Sequence, residues 1–173
     1  MHFQARNFVE QVRRERPDFF YGKKVLEVGS LYINGGIKDL FSACQYTGID
    51  LGPGPGVDVV ADGAEVDPAL FGQFDVVCSS EMFEHNRRWR ETWDNMVRLC
   101  NPGGLVFFTC ATTGRGEHGT TRTSPADAPF TNDYYGNRVA EDFDTQAFES
   151  HRFQVDHGHK DLFFWGIKWP LSG

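Results

Sequence analysis

The hydrophobic positions of the chain fall into short apolar runs that alternate with amphipathic stretches and glycine-rich turns. The apolar runs predict strands near residues 25–28, 46–50, 57–61, 74–80, 105–110, 153–157 and 162–169. Helical spacing predicts helices through residues 8–12, 37–44, 89–100 and 144–150, the first ending before Pro17. This order predicts an α/β fold: a doubly wound, mostly parallel seven-stranded sheet with helices on both faces and a C-terminal antiparallel hairpin.

Length, charge and cysteine content narrow the class of protein. The 173 residues, 40% of them hydrophobic, predict a single domain over 1–173, with an N-terminal helix and lead-in over 1–22. The net charge of -7 argues against nucleic acid as a partner, because binding to phosphates needs clustered Lys and Arg. No apolar run approaches the roughly 20 residues of a membrane span, and the N-terminus lacks the apolar core of a signal peptide. With four scattered cysteines expected to be reduced, we predict a cytoplasmic protein.

The most informative stretch covers residues 24–36, where a buried strand runs into a glycine loop. The acidic Glu27 lies near the strand end, before Gly29, and Asn34 and Gly35 follow downstream. This spacing is not the Gly-x-Gly-x-x-Gly of dinucleotide sites. A carboxylate there repels a diphosphate but suits a ligand that carries an ammonium or sulfonium group. The alternative is a plain strand-to-helix turn.

A second acidic residue follows the next predicted strand. Asp50 lies about twenty residues beyond the glycine loop, where a carboxylate can accept both ribose hydroxyls of a nucleoside. The alternative is an ordinary turn or helix-cap aspartate. After Asp50, the alternating glycines and prolines of 52–56 predict a loop rather than a helix.

Three segments together resemble class I S-adenosylmethionine (SAM)-dependent methyltransferases, of the small-molecule type known as the methyltransferase domain 11 group. They are Glu27-Val28-Gly29-Ser30…Asn34-Gly35, the Ser-x-Glu-x-x-Glu-His signature in 79–85, and the Leu-x-Pro-Gly-Gly-x-Leu pattern in 99–106. The resemblance covers most of the chain. It implies a Rossmann-like fold, with SAM as cofactor and S-adenosylhomocysteine (SAH) as product.

The resemblance also implies a set of cofactor contacts. These are Glu27, Gly29, Ser30, Asn34, Gly35, Asp50, Leu51, Ala61, Asp62, Gly63, Ser79, Ser80, Glu81 and Met82. In the family, an acidic residue at the place of Asp62 accepts from the adenine amine, although Asp62 could equally be a turn residue before Gly63. The acceptor is expected to be a small molecule, a sugar or another metabolite, methylated on oxygen or nitrogen.

The polar, turn-rich segment 111–142 is expected to be a lid or substrate loop, because so long a loop in a compact domain is usually functional. His118 is the first candidate for a general base, and His85 the second. Tyr134, Tyr135 and Phe130 are candidates for the acceptor wall. The alternatives are an incidental surface His, packed tyrosines, and a His85 that only braces its loop.

His157 and His159 are better explained by a hairpin turn, so no metal site is expected. Two other functions remain open. The chain could bind SAM without transferring a methyl group, as a partner or regulatory subunit. A nicotinamide-dependent oxidoreductase is disfavoured by the glycine spacing and by Glu27. The acceptor and the oligomeric state are not encoded in any pattern that we recognise.

Overall fold

Seven strands form one mixed sheet in a computed structural model that describes residues 2–171. The strands are β1 (Lys24–Val28), β2 (Gln45–Asp50), β3 (Val59–Val60), β4 (Phe74–Ser80), β5 (Cys100–Ala111), β6 (Phe148–Asp156) and β7 (Asp161–Lys168). Their spatial order is β3-β2-β1-β4-β5-β7-β6. The described residues contain two α-helices, α1 (Phe3–Glu15) and α2 (Trp89–Leu99).

The first five strands pair in parallel, and β7 runs antiparallel to both β5 and β6. The carboxyl ends of the five parallel strands therefore meet at one edge of the sheet, which is where open α/β sheets bind ligands. The predicted fold class is confirmed, including the final hairpin, whose turn contains His157 and His159.

The sheet is covered on both faces. Phe8, Val9 and Val12 of α1 belong to one buried cluster, while Trp93 and Met96 of α2 belong to the other. Strand β7 contributes to both clusters, since successive side chains of a strand point to opposite faces. Its alternating residues are Phe163 and Trp165 on the α1 side, and Leu162 and Phe164 on the α2 side.

Two predicted helices are wrong. In place of a helix over residues 37–44, the chain forms a single 3₁₀ turn, Lys38–Leu40. Ile37 and Leu40 are nevertheless buried against the sheet. The apolar spacing therefore predicted correctly which side chains are buried, but not the type of element that carries them. The helix predicted near residues 144–150 is replaced by the start of β6, because Phe148 pairs with Lys168 of β7.

The loop expected in place of a helix after β2 is confirmed. Residues 51–58 connect β2 to the two-residue strand β3, and Asp58 and Ala61 donate backbone hydrogen bonds to Gly48 and Asp50. The chain between these strands is therefore short and turn-like. No helix within residues 2–171 is long and apolar enough to cross a membrane.

Candidate functional site

A cleft of about 700 Å³ opens at the carboxyl ends of β1, β2 and β4. This size is typical of a small-molecule site. Most of the predicted cofactor contacts line it, as do both candidate bases. They are Glu27, Gly29, Ser30, Asn34, Gly35, Asp50, Leu51, Ala61, Asp62, Gly63, Ser80, Glu81, Met82, His85 and His118.

Glu27 places a carboxylate at the buried end of the cleft. The side chain is 2% exposed, and the Tyr46 hydroxyl donates a 2.8 Å hydrogen bond to Oε2. Burial raises the pKa of Glu27 from 4.5 to about 7. The group is therefore half-ionised near neutral pH, and a cationic ligand would favour its charged form.

The glycine loop after β1 is held by close backbone contacts. Gly29 has φ +78, and a Cβ atom there would lie 2.6 Å from the Cβ of Met82. The amide of Gly29 donates to the Ile49 carbonyl, and the amide of Tyr32 donates to the Pro55 carbonyl. The loop, the end of β4 and the turn after β2 therefore form one continuous wall. Only glycine combines this φ with this approach.

Asp50 ends β2, and its carboxylate connects the glycine loop to the turn after β2. Oδ2 accepts a 3.0 Å bond from the Leu31 amide, and Oδ1 accepts a 2.7 Å bond from the Leu51 amide. Burial raises the pKa of Asp50 despite these bonds. A carboxylate has lone pairs beyond these two bonds, so Asp50 can also accept from ligand hydroxyls.

Asp62 and Gly63 line the cleft just after β3. Asp62 Oδ1 accepts from the Ala64 amide at 2.8 Å, and Oδ2 lies 3.3 Å from Arg88 Nη1. These bonds fit the turn interpretation of Asp62, although the residue also lines the cleft. An adenine amine would share oxygens that already have protein partners.

Ser79 differs from the expectation. It is fully buried in β4 and does not line the cleft, whereas the next residue, Ser80, does. Adjacent strand residues point to opposite faces of the sheet, so Ser79 and Ser80 cannot both contact a cofactor in this cleft. Ser80 Oγ and Ser30 Oγ are both buried without a hydrogen-bond partner among the described residues.

A charged cluster that the sequence did not reveal borders the cleft. His2 Nε2 lies 3.0 Å from Glu81 Oε2 and 3.4 Å from Asp161 Oδ2, and Arg115 Nη1 donates to Asp161 at 2.8 Å. Hydrogen bonds to Asp161 and Glu81 raise the pKa of His2 to about 10. His2 is therefore a cation at neutral pH. Residues 2, 81, 115 and 161 share no motif, so no pattern joins them.

His85 and His118 line another part of the cleft, and the buried Glu84 lies beside them. The rings of His85 and His118 are 4.8 Å apart, and the ring of Tyr135 packs against both. Burial, followed by the proximity of His118, lowers the pKa of His85 to about 4. Glu84 Oε1 accepts from the Ala111 amide, and the Glu84 carbonyl accepts from Gly136, so Glu84 does brace the loop as expected.

The three rings predicted to form the acceptor wall lie outside the lining of the cleft. Phe130, Tyr134 and Tyr135 do not line the cleft. Phe130 lies on Gly52, the Tyr134 hydroxyl accepts from Arg138, and Tyr135 packs on the two imidazoles. These three rings therefore contact other parts of the protein rather than the cleft. The same loop lines the cleft with Arg115, Gly116, Asp127, Ala128, Pro129, Thr131 and Asn132 instead.

Residues 1–158 match a family described as a methyltransferase domain. Curated relatives include ubiquinone biosynthesis O-methyltransferases. The protein from Proteus mirabilis is 34% identical over 113 residues, which are 56% of this chain and 45% of the relative. The protein from Erwinia tasmaniensis is 35% identical over 106 residues, which are 51% of this chain and 42% of that relative. The matched segment thus spans somewhat less than half the length of each relative.

Solved methyltransferases share the fold. One is a Burkholderia thailandensis 1,6-didemethyltoxoflavin N1-methyltransferase with SAH bound, with a TM-score of 0.66 and 13% identity over 95% of this chain and 78% of that one. Another is Haemonchus contortus phosphoethanolamine N-methyltransferase 2 with SAH bound, with a TM-score of 0.63 and 15% identity over 94% and 52%. At such identities the likeness is one of fold.

Proposed function

Because the chain belongs to the methyltransferase-domain family, we propose that it transfers a methyl group from SAM to a hydroxyl of a small molecule. The observation that carries this proposal is the pair of strand-end carboxylates, Glu27 and Asp50, on one cleft beside a glycine loop. The choice of oxygen as the acceptor atom is supported by the curated relatives, which are O-methyltransferases.

The chemistry of the cleft fits this cofactor. Glu27 offers a negative charge to a ligand that carries an ammonium and a sulfonium, and Asp50 offers acceptor lone pairs to ribose hydroxyls. The unpartnered hydroxyls of Ser30 and Ser80 can bond to the polar methionine end. SAM, when bound, supplies a methyl group that its sulfonium has already activated. The protein's contribution is alignment and exclusion of water.

A hydroxyl acceptor must lose its proton as the new bond forms. We assign proton removal to His118, which reaches the cleft from the long loop 111–142. His85 lies against its ring, and its low pKa keeps it neutral at physiological pH. A neutral His85 does not repel the positive charge that His118 gains when it accepts the proton. Loop 111–142 is then the acceptor-binding segment.

The net charge of -7 supports a small-molecule acceptor rather than nucleic acid. A cytoplasmic location is supported by the four free cysteines, Cys44, Cys78, Cys100 and Cys110.

The first test is calorimetric titration with SAH. Wild type and the control Asp94→Ala, which removes an exposed carboxylate on α2, should bind equally. Asp50→Asn keeps the size of the side chain and removes its charge. Losing charged hydrogen bonds to ribose should cost about 2–3 kcal/mol, or roughly 30- to 150-fold in affinity. Absence of binding by folded wild type would overturn the proposal and direct attention to nicotinamide ligands.

Turnover is tested separately. Wild type is incubated with SAM and a panel of hydroxylated small molecules, and SAH formation is measured. Release of SAH that depends on one of the acceptors supports transfer. Tight SAH binding without turnover on any acceptor would favour a SAM-binding protein without transfer activity.

A further inference from the structure

Two arginines from different elements stack on one buried tryptophan, on the face of the sheet that α1 covers. Trp165 of β7 is 6% exposed, and the guanidinium carbon of Arg16 lies 4.7 Å from the centre of its ring. The guanidinium carbon of Arg152 lies 5.7 Å from the same centre. Arginine stacks on aromatic faces in this way, and the stacked guanidinium keeps its N–H groups at its edge. None of the three residues lines the cleft.

The fold fixes the position of each member of this group. Arg152 of β6 is paired with Trp165 of β7 in the antiparallel register, so both side chains lie on one face of the sheet. Arg16 follows the last residue of α1, and its amide donates a 2.8 Å hydrogen bond to the Val12 carbonyl. A helix end and two strands therefore meet here. We call Arg16, Arg152 and Trp165 the arginine–tryptophan cluster.

The arginine–tryptophan cluster contains three buried N–H groups without an acceptor. They are Nε of Arg16, Nε of Arg152 and Nε1 of Trp165, and none has a hydrogen-bond partner among residues 2–171. Guanidinium and indole groups only donate, so the three cannot satisfy one another. Buried tryptophan N–H groups usually have a partner, and an unpaired buried donor costs free energy. An added acceptor would remove that cost.

The charges around the arginine–tryptophan cluster decide which kind of acceptor fits. Arg152 Nη2 donates to both carboxylate oxygens of Glu15, at 3.0 and 3.1 Å. Arg16 forms no ion pair with any residue in 2–171. Its stacking on Trp165 and its place at a helix C-terminus hold it, but neither gives its N–H edge an acceptor. Two guanidiniums against one carboxylate leave a positive charge, which favours an anion over water.

We propose that the arginine–tryptophan cluster binds the phosphate group of a small anion. The planar fork of a guanidinium matches two oxygens of a phosphate, and the indole N–H can donate to a third. Inorganic phosphate and a phosphate monoester share this recognised group. His2 lines the cleft just before α1, whereas Arg16 follows its other end, and the 13 residues between them span about 20 Å. The anion site is thus separate from the cleft and does not rest on the proposed function.

Nuclear magnetic resonance on the full chain measures this binding. The side-chain N–H of each tryptophan gives its own signal, and Trp165→Phe identifies the signal of Trp165. Inorganic phosphate is titrated while sodium chloride keeps the ionic strength constant. We expect the Trp165 signal to move downfield and to saturate as one site fills, because its N–H gains an acceptor. The Trp93 N–H already donates to the Asp144 carbonyl at 3.1 Å, so its signal should not move.

Matched variants separate the arginine–tryptophan cluster from a general attraction of anions. Arg16→Gln should weaken phosphate binding about tenfold or more, because it removes charged hydrogen bonds. Arg14→Gln removes an exposed positive charge from the same helix and should bind as wild type does. A parallel titration with glycerol 3-phosphate distinguishes the sources of the phosphate group. Tighter binding of the ester identifies a phosphate ester as the ligand, and equal or weaker binding identifies free phosphate.

The proposal is overturned if the Trp165 signal of wild type does not move with phosphate. It is also overturned if Arg14→Gln and Arg16→Gln weaken binding equally, since that result would indicate only diffuse attraction by positive charge. Circular dichroism and thermal melting check that each variant is folded. Separate SAH titration keeps this result distinct from the proposed function, because phosphate binding without SAH binding would refute only the latter.

Discussion

Replacing Glu27 by Gln should stabilise the fold and weaken the cofactor site at the same time. The carboxyl is 2% exposed, and burial raises its pKa from 4.5 to about 7. Each pKa unit corresponds to about 1.4 kcal/mol, so ionising Glu27 in the folded chain costs up to about 3.4 kcal/mol relative to the unfolded chain. Gln removes this cost, and its carbonyl can still accept from the Tyr46 hydroxyl.

The direction in which stability changes with pH follows from the proton bound to Glu27. Between pH 4.5 and about 7 the folded chain holds the Glu27 proton and the unfolded chain has released it. The stabilising contribution is therefore complete below pH 4.5 and is lost as pH rises through about 7. Between pH 5 and pH 8, the free energy of unfolding of wild type should fall by about 2.5 kcal/mol relative to Glu27→Gln.

Urea denaturation at pH 5 and pH 8 measures this difference, and calorimetry with SAH at pH 8 measures the loss of binding. Glu149→Gln removes an exposed carboxylate and should show neither effect. A wild-type-minus-Gln difference that is the same at both pH values would refute the reasoning about burial. Unchanged SAH affinity in Glu27→Gln would refute its contact with the cationic end of the ligand.

Two further changes test the neighbouring walls. Gly29→Ala should lower the free energy of unfolding by about 1–3 kcal/mol, because φ is +78 and the new Cβ would clash with Met82. Thermal or urea denaturation measures this loss, and unchanged stability would contradict the close contact. His2→Gln should destabilise the fold by about 1–2 kcal/mol at pH 6. Asp161 and Glu81 raise the pKa of His2 to about 10, so the difference in the free energy of unfolding between wild type and His2→Gln should shrink as pH rises toward that value. Urea denaturation at pH 6 and pH 10 measures this difference. An equal difference at both pH values would contradict the reasoning.

The sheet could be predicted because its buried strands are continuous apolar runs. Residues 76–79 of β4 and 105–111 of β5 are buried at every position, which leaves little choice of element. The segment around Ile37 and Leu40 shows the limit of this reasoning. Both side chains are buried, but one 3₁₀ turn places them as well as a helix would. Pairing with β7 likewise decides the start of β6 at Phe148, and spacing alone cannot show it.

The same division applies to the site. Glu27 and Asp50 could be predicted because parallel strands bring their carboxyl ends to a common edge, whatever lies between them in sequence. His2 could not, because its partners Glu81 and Asp161 belong to β4's loop and to β7. The tyrosines of the long loop were misplaced for a different reason. Aromatic rings satisfy packing and ligand contact equally well in sequence, and only the fold decides between them.

The short connection between β2 and β3 has a consequence for the thermodynamics of association. Proline restricts the unfolded chain, so the segment containing Pro53 and Pro55 has fewer conformations to lose on folding. The bond from the Tyr32 amide to the Pro55 carbonyl then ties this segment to the glycine loop. A ligand that reaches Asp50 meets backbone that is already ordered, and little conformational entropy is lost on association. Preorganisation here comes from a stiff turn between two strands.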